Sequence, residues 1–106
     1  MARPLGVATT AILSTVRSRV RYGLDIAQKT GLLQGTVYTT LRRLEKRGLI
    51  TGRWEDPGVA EAERRPRRRY YELTSEGEAE LERSIERLGD LVGDLNLRLA
   101  TGERDA

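Results

Sequence analysis

The chain has 106 residues, 38% of them apolar and 33% charged, with a formal net charge of +3 and neither cysteine nor histidine. That length suits a single small domain, and the missing residue types exclude disulfides, thiolate nucleophiles, Cys- or His-based metal sites and the commonest general base. No run approaches the roughly 18 apolar residues of a membrane span, and Met1-Ala2-Arg3-Pro4 lacks the character of a signal peptide. The expectation is therefore a cytoplasmic protein that is not an enzyme and carries no cofactor or metal.

In chain order, Leu5, Ala8, Ile12, Val16 and Val20 recur at spacings of three and four, which predicts a first amphipathic helix over about residues 4–21. A short helix over about 22–30 follows, with Leu24, Ile26 and Ala27 as contacts and Gly31 as its stop. A third helix is expected over about 35–47, with Val37, Leu41 and Leu44 as its core stripe and Gly48 behind it. Gln34-Gly35 offers this helix no side-chain cap. Short helix, glycine turn and second helix together make a helix-turn-helix pattern.

Ile50 to Glu55 and Arg68 to Leu73 alternate like strands. Between them, a loop from Asp56-Pro57-Gly58 through Arg65-Pro66 completes a wing. A last helix opens at Thr74 or Ser75, where Ser75-Glu76-Gly77-Glu78 fits a capping box. Leu81, Ile85, Leu88, Val92, Leu95 and Leu99 then form an unbroken a/d repeat. At roughly 25 residues this helix is about 37 Å long, more than a small domain covers, so the stripe is expected to pair with a second copy. The fold class is mainly α (α+β): a winged helix-turn-helix over 1–73, a C-terminal dimerisation helix over 74–100 and a flexible tail over 101–106.

Charge is segmented. The first 54 residues hold ten Lys/Arg against Asp25 and Glu45, and residues 64–71 hold five Arg with no acid; residues 72–106 hold ten acids against four Arg. A basic face suits a polyanion such as DNA. With Val37, Leu41 and Leu44 turned inward, the third helix presents Gly35, Thr36, Tyr38, Thr39, Arg42, Arg43 and Lys46 outward. Small hydroxyl residues followed by Arg and Lys are what a major-groove helix needs. A merely solvated helix face would look similar in isolation; the surrounding helix-turn-helix favours DNA. Arg64, Arg65, Arg67 and Arg68, with Arg69, suit phosphates and a narrow minor groove, contributing affinity and register. Trp54, Tyr70 and Tyr71 read as core and wing support rather than a stacking surface for single strands. Asp25 and Glu45 are expected to pair with nearby arginines.

Tyr22-Gly23-Leu24-Asp25-Ile26, Gly35-Thr36-Val37-Tyr38, Leu41-Arg42-Arg43-Leu44-Glu45, Gly48-Leu49-Ile50 and Arg67-Arg68-Arg69-Tyr70-Tyr71 with Leu73-Thr74 and Gly77 closely resemble the PadR family of transcriptional regulators, in its compact, short-helix subgroup. The resemblance implies a homodimer whose terminal helix packs on the partner's first helix. It also implies repression of a nearby promoter at a palindromic operator, with release by a small-molecule effector in several members. The chain departs from the family where Leu33-Gln34 replaces the usual Ser-Pro, and its last helix has no aromatic residue to stack flat drugs. The competing reading is a winged-helix protein-interaction module that does not read DNA; the basic face argues against it.

Overall fold

A computed structural model describes residues 4–102. Helix α1 runs from Val7 to Arg17, well short of the expected 4–21. It stops because Arg19 turns into the left-handed region, at φ 73°, and the chain then runs extended. The Tyr71 N–H donates to the Arg21 carbonyl at 2.9 Å, and Tyr22 bridges Tyr70. Backbone groups that a longer helix would have used internally are satisfied by the hairpin instead. Val20, the last member of the predicted stripe, still packs against the core.

Helix α2 (Gly23–Thr30) ends at Gly31, which is left-handed at φ 74°, as a C-terminal glycine allows. Helix α3 (Gln34–Lys46) starts from Leu33 without a side-chain cap and buries Val37, Thr40, Leu41 and Leu44. Strand β1 (Ile50–Trp54) pairs antiparallel with β2 (Arg69–Leu73), Ile50 facing Leu73 and Trp54 facing Arg69.

The connection between the strands is not the irregular loop the sequence suggested. It contains a short helix, α4 (Pro57–Ala62), whose first turn is capped by Asp56 accepting from the Gly58 N–H at 2.8 Å. Pro57 at the first helical position costs nothing, since that N–H has no intrahelical partner. Ala60 is buried beneath this turn.

The last helix, α5, spans Ser75–Thr101, so it reaches one residue into the stretch read as tail; 103–106 lie outside the described residues. Of the two openings the sequence offered, Thr74 is the cap, so the box on Ser75 does not form. Thr74 Oγ1 accepts from the Gly77 N–H at 3.0 Å and donates to the Gly48 carbonyl at 2.7 Å, tying the start of α5 to the end of α3. Gly77 is required here: a Cβ would stand 1.9 Å from the Leu49 carbonyl oxygen.

One core joins these elements: Ile12, Leu13 and Val16 of α1, Ile26 of α2, Val37, Leu41 and Leu44 of α3, Ile50 and Tyr71 of the hairpin, and Leu81 of α5. Leu81 is 0% exposed. It completes the core of its own chain and is therefore unavailable to a partner, contrary to its expected place in a dimer seam. Only the first turns of α5 are anchored, helped by an Arg17–Glu82 ion pair at 2.8 Å and by Arg87 donating to the Leu5 carbonyl. From Gly89 to Gly102 every residue is exposed, and the molecule measures 59 × 28 × 20 Å.

Candidate nucleic-acid interface

Burying one stripe of α3 turns the opposite one outward. Gly35, Thr36, Tyr38, Thr39, Arg42, Arg43 and Lys46 are all exposed, where the helical wheel placed them. No ion pair engages Arg42, Arg43 or Lys46 among the described residues. Glu45, the one acid on α3, is taken up by Arg69 at 2.8 Å, and that bond raises the Arg69 pKa further. Asp25, expected to act likewise, makes no ion pair among the described residues. Gly23 lets α2 meet α3 closely, since a Cβ there would lie 2.3 Å from the Tyr38 ring.

In the wing, the arginines that look alike in the sequence differ in state. Arg64, in the left-handed region at φ 53°, is exposed and makes no ion pair among the described residues. Arg67 lies 5.6 Å from the Trp54 ring centre and donates twice to the Glu55 carbonyl, at 3.0 and 2.9 Å. Arg68 lies over the Tyr22 ring at 4.2 Å. Its pKa is raised by a hydrogen bond with Tyr70.

Arg65 lines the cleft between the wing and α3, but its charge is already engaged by acids. Its guanidinium grips both oxygens of Glu55, at 2.7 and 2.8 Å, and also holds Glu63. Both charges of the Arg65–Glu55 pair are largely covered, at 19% and 7% side-chain exposure. Glu55 also accepts from the Arg68 N–H and the Tyr70 hydroxyl, each at 3.2 Å. Arg65 above all, with these donors assisting, holds the Glu55 carboxyl at about 2, against an opposing contribution from desolvation.

The aromatic residues also divide. Tyr71 is core, and burial raises its phenol pKa. Tyr70 meets Tyr22 edge to face at 5.8 Å. Trp54, expected as core and wing support, is 58% exposed. It shares a face with Ile50, but the core ends before it. Guanidiniums cover it instead, Arg69 at 5.4 Å besides Arg67. The strand alternation gave the correct face without its depth.

Helix α3 and the wing border a cleft of about 520 Å³, with Tyr38 and Arg42 on one side and Trp54, Arg65, Arg67, Arg68 and Arg69 on the other; Tyr22 also lines it and no acidic residue does. Among the described residues no group of three or more acidic, Cys or His side chains could hold a metal, and no helix is long and apolar enough to cross a membrane.

A helix-turn-helix with a cationic second helix, followed by an arginine-bearing hairpin, is a winged helix of the DNA-binding class. Residues 12–83 match the family described as the transcriptional regulator PadR-like family. The chain belongs to that family of transcriptional regulators. No curated protein matches it. Among solved structures it is similar to a PadR family transcription regulator from Clostridium difficile, at 28% identity and a TM-score of 0.76, over 89% of this chain and 99% of that one. A PadR-like regulator from Bacillus cereus is also 28% identical, with a TM-score of 0.71 over 89% and 92% of the two chains. The BpsR regulator of Bordetella bronchiseptica, whose DNA binding is regulated by 6-hydroxynicotinic acid, is 25% identical, with a TM-score of 0.68 over 86% and 64%.

Proposed function

We propose that this chain is a homodimeric repressor that reads a palindromic operator in double-stranded DNA. The observation that carries the reading is the cleft: unpaired Arg42 of α3 and Arg67 and Arg68 of the wing line one concavity that contains no acid. A duplex meets two elements of the right sign together. Gly35, Thr36, Tyr38 and Thr39 allow the start of α3 to approach base edges, while Arg42, Arg43 and Lys46 reach bases or phosphates. Arg64, Arg67 and Arg68 contact the backbone or minor groove beside it.

Dimerisation follows from what α5 leaves uncovered. Ile85, Val92, Leu95 and Leu99 are 40–71% exposed on one stripe, with Leu88 half-buried beside them. Leaving these large apolar side chains about half in water forfeits part of the roughly 1.5–3 kcal/mol that full burial of each contributes, and a second copy covers them. Two recognition helices about 34 Å apart then read successive major grooves of a palindrome. Release by a small-molecule effector belongs to the same reading, supported by the ligand-regulated DNA binding of BpsR.

A mobility-shift titration against the DNA upstream of its own gene, with random duplex as competitor, tests the proposal. Specific binding at nanomolar concentrations, falling by orders of magnitude from 50 to 200 mM salt, is the expected result. Equal affinity for random duplex refutes specific regulation, and sedimentation equilibrium showing only monomer refutes the dimer.

A further inference from the structure

We infer that Glu55 is a positioning residue that occupies the charge of Arg65 at the wall of the cleft and sets Arg67 and Arg68 toward the DNA, so that it limits how strongly the wing grips DNA of any sequence. The inference rests on the reading of the wing as a DNA contact and adds a division of labour within it.

Glu55 meets the wing through both carboxylate oxygens and both backbone groups. Its carboxylate takes Arg65 in a two-pronged grip and accepts from the Arg68 N–H and the Tyr70 hydroxyl. Its carbonyl accepts twice from Arg67, and its N–H donates to the Arg68 carbonyl at 2.8 Å. A single acid thus fixes Arg65 by charge, Arg67 through the backbone, and Arg68 through that residue's N–H and carbonyl.

The electrostatic consequence is unequal. A carboxylate in a paired, poorly solvated grip competes with a phosphate for the same planar donor fork. Arg65 already has that partner, as well as Glu63, and contributes no free charge. Arg67 and Arg68 use neutral acceptors and aromatic faces, which leave their positive charge available to a phosphate. Five arginines in the sequence therefore act as fewer than five in the field that a duplex meets, since Arg69 is also paired, with Glu45.

The test is the salt dependence of binding to random and operator duplexes, where each phosphate neutralised contributes about 0.9 to the slope of log affinity against log salt. Three full-length variants are compared with wild type after melting curves show them folded. Glu55→Gln keeps the shape and removes one of the two carboxylates that hold Arg65; its slope should steepen by up to about one unit per wing, with several-fold tighter binding to random and operator duplexes alike and an unchanged specificity ratio. The double variant E55Q/R65Q removes the pair without changing net charge and retains hydrogen-bonding side chains at both positions; its slope should return to the wild-type value. Arg67→Gln should flatten the slope by about one unit per wing.

A double variant as flat as Arg67→Gln would show that Arg65 itself neutralises a phosphate and would overturn the inference. So would a Glu55→Gln protein with an unchanged slope and uniformly weaker binding, which is what a purely structural role produces. In either case wild-type binding stands. Loss of salt-dependent duplex binding by the wild type itself would remove the DNA reading and this inference with it.

Discussion

Replacing Gly77 with alanine should damage the molecule far more than its chemistry suggests. The added methyl would lie 1.9 Å from the Leu49 carbonyl oxygen and 3.0 Å from the carbonyl carbon, both backbone atoms. An ordinary contact lies near 3.4 Å, so the start of α5 must retreat from β1 by more than an ångström. Leu49 cannot simply give way, because the same carbonyl accepts the Thr74 N–H at 3.1 Å. Retreat would also loosen Leu81, four residues on and wholly buried. Overpacking of this kind costs about 1–3 kcal/mol or more, against a gain of up to about 1 kcal/mol from alanine's helix propensity. A net loss of about 1–2 kcal/mol corresponds to a fall in melting temperature of roughly 4–16 °C. Thermal unfolding followed by circular dichroism, at one protein concentration, measures it. Gly89→Ala controls for propensity: it lies in the same helix, meets nothing within 4 Å, and should raise the melting temperature by a few degrees. A Gly77→Ala protein as stable as wild type would refute the steric reasoning.

Other outcomes follow from the division of α5 and from the charges of the interface. Leu81→Ala empties a fully buried site and should cost about 2–5 kcal/mol in chemical denaturation. Leu95→Ala should instead raise the dissociation constant of the dimer in sedimentation experiments, and a dimer unaffected by it would exclude the exposed stripe as the seam. Arg42→Ala with Arg43→Ala should weaken operator binding more than random-duplex binding in mobility-shift assays; parallel losses would remove base reading from α3. The folded Glu55 carboxyl sits at about 2 against an ordinary 4.5. Its stabilisation is thus complete above about pH 4.5 and is lost as pH falls from there toward 2. Glu55→Gln should therefore flatten the stability profile in that window, and an identical acid limb in both proteins would contradict the assignment.

Several features were legible without coordinates because they depend on near neighbours in the chain. The 3.6-residue repeat of Val37, Leu41 and Leu44 decides which arc of α3 faces out, and Gly31 terminates α2 by the freedom of a single residue. The short helix α4 was also written locally, in Asp56-Pro57, a cap followed by proline at the first helical position. Its placement inside a presumed loop hid it. The end of α1 was not legible, because the extended course of residues 20–22 is stabilised by a hairpin some fifty residues later.

By itself, the sequence determined the order of the four longer helices and two strands, the exposed cationic face of α3 and the presence of an arginine cluster, since periodicity and composition are properties of short segments. Only the tertiary structure decided which of those charges are free. Leu81 and Leu95 occupy equivalent positions of one repeat, yet one is sealed in the core and the other stands in water. Arg65 and Arg67 are two residues apart, yet one is neutralised by Glu55 and the other is not. Burial and ion pairing depend on what long-range folding brings alongside, and no local pattern encodes that.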